Sequence, residues 1–373
     1  MVVDMDAEAV LRIFWWLALG ALVAGMGIWL VGDLGLALLL RALGRNESER
    51  REIVSRVGRV TDGHQVWLIL AGGAVVGAWW PLFQTSLFSG LWLVLLFIAI
   101  AVAVGPVGRG YRHLVGEQRR GAWDALWAML SLAALLVMGI GVGAVVSGAP
   151  FRFDAHMDAS WGGFFGRFTP YEVLVPGLLA IAFGVLLAAS RVAVRCDGAV
   201  AERARKLMLP AAGLALLIFI GGAIWATQLP GYAVAGITPL GATTTPLQGT
   251  TFVVNGAYIE RFLGQLPLLV IPILAGLALL GAIFYAWRGP ASRVWTFAAL
   301  AVVGVVATAG AMTFPVLLPS WSAPAQSLTI ANAAENNAAL ISLLVWLGVL
   351  IPVAIAYEIW LHRRSGNEAV AQS

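Results

Sequence analysis

The groups in this chain best suited to moving protons are an aspartate inside one apolar run and an acid and a histidine at the head of the next. Asp33 sits in Val31-Gly32-Asp33-Leu34-Gly35, about two helical turns before Arg41, which places it about 12 Å inside the end of its helix. Charge is costly at that depth, so an ionisable residue there is a functional candidate. Two readings stand: a proton-relay carboxylate lining a polar cavity, or a structural carboxylate bonded to a neighbouring helix or reaching the interface. Asp62 and His64 lie in Thr61-Asp62-Gly63-His64-Gln65-Val66-Trp67. Asp62 followed by Gln65 has the spacing of a capping box, in which the acid satisfies orphan N–H groups and the amide reaches back. The same two residues would also exchange protons with water at the mouth of a helix, since histidine changes charge near neutrality. Glu172, Glu335, Asn336 and Asn337 stand at expected helix starts and read as caps that complement the helix dipole.

The elements that position these groups are membrane helices. Hydrophobic residues make up 60% of the 373 and charged residues 11%, too few charges to cover a water-facing surface. Apolar runs of the length needed to span a bilayer as a helix recur along the whole chain, and the alternating ten-residue pattern of a β-barrel is missing. Nine segments stand out: 10–40, 65–83, 87–107, 122–147, 171–190, 208–228, 266–287, 294–318 and 338–361. The second and third are separated by only a few residues, so eight is the alternative count.

Basic residues choose between the two. With nine helices and the acidic N-terminus outside, 19 of the 23 Lys and Arg fall in cytoplasmic loops, leaving Arg12, Arg152, Arg167 and Arg261 outside. Eight helices would break that alternation after the first loop. The expectation is an all-α integral membrane protein, N-terminus out and C-terminus in, forming a single polytopic domain over 1–373. Trp15, Trp16, Trp79, Trp80 and Trp225 fall near the outer interface, and Trp67, Trp123, Trp287, Trp295 and Trp360 near the inner one, as an aromatic belt does. The acidic N-terminal residues and long first run do not read as a cleavable signal. Two outer loops, 148–170 and 229–265, have no clear structure in the sequence, and such loops are mobile or held by a partner; a partner is the preferred reading.

Other chemistries find little support. Haem needs axial His or Met ligands within the bundle, yet His64, His113, His156 and His362 all map to loops or helix ends. No Glu/His cluster suggests a metal site, and no glycine-rich phosphate loop occurs. The single cysteine, Cys196, leaves no intramolecular disulfide and no cysteine-rich centre. No basic face points to nucleic acid. Gly139, Gly141 and Gly143 read as close helix packing.

Taken in order, the motifs of the chain resemble a known family. Phe14-Trp15-Trp16, Leu43-Gly44-Arg45-Asn46-Glu47-Ser48-Glu49-Arg50-Arg51, and Asp62-Gly63-His64-Gln65-Val66-Trp67-Leu68 with Ala71-Gly72-Gly73-Ala74 look like the N-terminal third of cytochrome bd oxidase subunit II. The similarity continues through Pro106-Val107-Gly108, Tyr111-Arg112, Trp123-Asp124 and Gly231-Tyr232. It ends with Phe314-Pro315, Pro319-Ser320 and Ser327-Leu328-Thr329.

The resemblance implies two four-helix bundles, here about 10–147 and 171–361 with one helix peripheral, and a heterodimer with a homologous subunit I. That partner would hold the haem b and haem d groups and oxidise quinol, with dioxygen reduced to water and protons drawn from the cytoplasm. This chain would bind no cofactor by its own ligands. Small single-helix accessory subunits are compatible with the family, and the location would be a bacterial or archaeal cytoplasmic membrane. Assembly of subunit I, and a proton path through Asp62, Asp33 and His64, are the roles implied. The family's first-helix motif usually reads Thr-Asp-Gly-Phe-Asp-x-Gly; here Leu30 replaces the first acid and Asp33 keeps the second. Thr61 stands for the family's Trp, and His64 for its Asn. A path through the first acid is therefore rerouted or abandoned. Two alternatives remain, a structural partner of a divergent subunit I with altered activity and a membrane transporter.

Overall fold

The computed structural model describes residues 7–57, 111–162, 170–234, 244–249 and 251–370, with scattered positions between 70 and 108. In chain order α1 (Ala7–Leu43), the short polar α2 (Glu47–Arg56) and α3 (Glu117–Ser147) precede a hairpin of β1 (Phe151–Phe153) and β2 (Ala159–Trp161). Then come α4 (Pro170–Arg195), α5 (Gly198–Ala226), β3 (Pro230–Val234), β4 (Thr251–Asn255), α6 (Ala257–Gly264) and α7 (Val270–Arg288). The series closes with α8 (Ala291–Thr313), β5 (Val316–Leu318), β6 (Leu328–Thr329) and α9 (Asn337–Val370).

Seven helices among the described residues are long and apolar enough to cross a membrane. They coincide with seven of the nine expected segments; those over 65–83 and 87–107 lie mostly outside the described residues. Helix α4 is central, packed against α1, α3, α5 and α8, while α7 lies on α5 and α8. One apolar core runs from the Leu30–Leu43 half of α1 through Ala182–Ala193 of α4 and Cys196 to the first two-thirds of α5, the later turns of α7 and the first half of α8. Alanine recurs at its buried positions (Ala188, Ala189, Ala204, Ala212, Ala282, Ala298). Small side chains let membrane helices approach closely, where the gain is van der Waals contact because lipid is as apolar as the helix.

Helix ends differ from those expected. The fifth apolar segment continues to Arg195 and the sixth begins at Gly198, so basic turns counted as loop are helical. The eighth stops at Thr313 because Pro315 lacks an N–H and forces the preceding residue out of the α region; residues 316–318 form β5 instead.

Where they are described, the loops read as structureless are built. Strand β1 pairs antiparallel with β2, β3 with β4 and β5 with β6, so three small hairpins qualify the all-α expectation. They also hold one another. Gln326 Nε2 donates to Phe153 O while its Oε1 accepts from Phe153 N; the Ser320 hydroxyl donates to Phe151 O. Tyr258, at the start of α6, donates to Val146 O at the end of α3 at 2.6 Å. Burial pushes that phenol above its ordinary value, which keeps it a donor. Trp15 and Trp79 are not belt residues: both are fully buried and meet edge to face, 6.5 Å between centroids. They pack in a cluster with Phe151, Leu317, Leu328 and Ile330 beneath the hairpins.

Candidate functional site

Charged groups that touch across helices gather at the end of the bundle opposite the hairpins, here the basic end. α2 is a polar helix capped by Asn46, whose Oδ1 accepts from Glu49 N at 2.9 Å. It lies where α1 ends and α3, α4 and α5 meet. Arg203 of α5 pairs with Glu49 at 2.7 Å. Arg56 reaches Asp197, between α4 and α5, at 2.5 Å and donates to Arg195 O. Cys196 beside them is buried, and burial pushes its thiol up to about 12, so it is inert at physiological pH.

The tightest knot centres on Arg112. Its Nε and Nη2 donate to Asp124 Oδ1 and Oδ2 at 2.7 and 2.8 Å. Its Nη1 and Nη2 donate to Glu47 Oε1 and Oε2 at 2.9 and 2.8 Å. Asp124, in the second turn of α3, is fully buried, and Arg112 is 5% exposed. Two bidentate pairs thus use most of the donors of one guanidinium. Asp124 first, and Glu47 after it, hold the Arg112 guanidinium well above its usual range against the opposing effect of burial.

Glu47 lies below its ordinary value of 4.5, chiefly through its hydrogen bond from Arg112. A carboxyl depressed in the folded state adds stability above its unfolded value and loses it as pH falls through the folded one. The basic end is therefore expected to loosen as pH drops below about 4.5. Proteolysis within 44–57, followed against pH, reads this directly. Glu47→Gln should remove that part of the acid sensitivity; a variant as acid-sensitive as the parent would contradict it.

Of the three proton-path residues expected from the sequence, Asp62 and His64 lie outside the described residues. Asp33 lies within them, in the last third of α1. Its Oδ1 accepts from Arg191 Nη1 at 2.8 Å, the two side chains 13% and 11% exposed. The position of the family's first acid, Leu30, is 9% exposed and part of the apolar core. The sequence counted Arg191 as a loop charge, and the structure sets it inside α4, one turn before Arg195. Its signal was present: an arginine after an unbroken apolar run, which continues as Val192, Ala193 and Val194.

Among the described residues no three His, Cys, Asp or Glu come together as a metal site. His113 and His156 sit in exposed turns. These two histidines therefore offer no axial haem ligand inside the bundle.

The family model for cytochrome bd terminal oxidase subunit II matches residues 11–364. The chain belongs to that family. Subunit 2 of the cytochrome bd-I ubiquinol oxidase of Escherichia coli K12 is 31% identical over 95% of this chain and 93% of its own length. Subunit 2 of the cytochrome bd ubiquinol oxidase of Bacillus subtilis is 24% identical, over 94% and 95%. The fold matches a chain of the bd oxidase from Geobacillus thermodenitrificans with a TM-score of 0.71, covering 95% of this chain and 98% of that one at 15% identity. Membership in a subunit II family, together with seven apolar helices among the described residues, makes this a multi-pass membrane protein of a bacterial respiratory oxidase and displaces the transporter reading.

Proposed function

We propose that this chain is the haem-free subunit II of a bd-type quinol:oxygen oxidoreductase, required for assembly of a homologous subunit I that carries haem b and haem d. The observation that carries the reading is the match to one subunit family along nearly the whole chain. In this reading the segments 65–83 and 87–107 complete nine helices in two four-helix bundles plus one peripheral helix. The basic end faces the cytoplasm and the hairpins face outward. Quinol is the substrate of the complex, and the described residues of this chain act on neither quinol nor oxygen. Co-purification with the native partner tests it: haem b and d absorbance with quinol-dependent oxygen consumption is expected, and a complex without that absorbance would sink the idea.

The chain also supplies protons from the cytoplasmic face, taken up at Asp62 and His64. Asp62→Asn in the active complex is expected to lower turnover about tenfold or more, a barrier increase of about 1.4 kcal/mol. Unchanged turnover with unchanged proton uptake would leave Asp62 only its capping role. Asp33, the third residue the sequence offered for this path, is ion-paired with Arg191 and stands beside the path, not in it.

A further inference from the structure

Arg191 and Asp33 are held together by the backbones that carry them. A Cβ added at Gly32 would collide with Arg191 Nη2 and stand 3.3 Å from Leu187 Cβ. One turn along, a Cβ at Gly35 would strike the backbone of Gly184. Helices α1 and α4 therefore meet backbone to backbone at this level, and the guanidinium lies in the gap that Gly32 leaves. Arg191 Nε and Nη2 are buried and find no hydrogen-bond acceptor among the described residues. Arginine does not lose its proton in a protein, so this cation needs a standing counter-ion, and Asp33 is its ion-pair partner. Leu30, one turn earlier on α1, is apolar and buried, so that position offers no second carboxylate to take over.

Among the described residues, the remaining charged groups on the elements packed against this part of α1 have other engagements or lie further along. On α4 the next is Arg195, one turn nearer the basic end. On α3 it is Asp124, held by Arg112 and Arg50. Glu52 on α2 and Asp197 between α4 and α5 face Arg56, and Glu49 on α2 faces Arg203 of α5. On α8, Arg293 lies against Tyr285.

We propose that Arg191 is the positioning residue of Asp33, and that Asp33 serves as its counter-ion and not as a proton carrier. The pair is internally neutral. Protons passing this level of the bundle move in its field without binding to its carboxylate. This deepens the proton-supply reading and rests on it, and it gives the loss of the acid at Leu30 a physical counterpart: the acid that remains is committed to a cation.

The test uses the complete complex with Asp33→Asn, Arg191→Gln and the double variant, each measured for assembled yield, thermal stability, proton uptake and the pH profile of quinol oxidation. Breaking one half of a buried pair strands the other, so each single variant should lower assembled yield several-fold. Two neutral amides suit each other, so the double variant should recover assembly, with the parent pH profile and turnover within about twofold. A double variant that assembles but loses turnover or proton uptake overturns the proposal, because Asp33 would then be carrying protons. So do single variants that assemble like the parent, or a double variant no better than the singles. If the parent complex takes up no protons through this chain, the proton-supply reading fails, while yield and thermal stability still report on the pair.

Discussion

Asp124→Ala is expected to destabilise the basic end by about 3–5 kcal/mol, the cost of breaking a buried ion pair by removing one partner. Asp124 is fully buried and accepts two hydrogen bonds from Arg112 and a longer one, 3.5 Å, from Arg50. Its removal leaves Arg112, itself 5% exposed, with Glu47 alone. Because Glu47 still forms a bidentate pair with it, the lower half of that range is the better expectation. Glu47→Gln should cost about 1 kcal/mol or less, since Glu47 is 36% exposed and solvent screens what it contributes. The order of the two variants is the discriminating result. Thermal unfolding of the purified complex measures it, and equal losses would mean that burial does not govern this cluster. Replacing Arg112 and Asp124 together by leucine should recover most of the loss, as apolar substitution of buried pairs generally does.

The sequence revealed the membrane helices because about 20 apolar residues in succession have few other uses. It revealed their ends poorly. Composition marks where the bilayer stops, whereas a helix continues past it: α4 carries Arg191 and Arg195 as helical residues, and α5 carries Arg203, Arg205 and Lys206 in its second and third turns. Arg191 was therefore out of view as a partner, although Asp33 stood out from its cost alone. The hairpins were equally hidden, since strands of two to five residues are too short for alternation to register. Their stability comes from cross-links such as Gln326 to Phe153 and Tyr258 to Val146, which join residues far apart in the chain. The Arg112–Asp124–Glu47 knot has the same character. Trp123-Asp124 and Tyr111-Arg112 could be recognised as family motifs, but nothing in the order of residues shows that they bond.

Gly35→Val should be at least as damaging, about 3 kcal/mol or more, at or above the upper end of ordinary overpacking. The reason is what the new side chain meets. A Cβ at Gly35 runs into the backbone O, C and Cα of Gly184, and a backbone cannot rotate aside as a side chain can. The helices α1 and α4 would have to separate, and the contact they lose is the close packing that holds membrane helices together. Separation also draws Arg191 away from Asp33 through the adjacent gap at Gly32, so the packing and ion-pair losses are coupled and should not add independently. Two neighbours set the scale. Gly184→Ala should be milder, because its Cβ would meet Val31 O at 3.1 Å and Leu135 Cδ1 at 3.4 Å. Gly20→Ala, on the same helix with nothing within 4 Å, should be neutral or stabilising by up to about 1 kcal/mol, the helix-propensity difference between the two residues. Thermal stability of the assembled complex across the three variants then decides the matter. If Gly35→Val and Gly20→Ala are indistinguishable, α1 and α4 do not meet at this crossing, and the enforced approach of Arg191 to Asp33 falls with it.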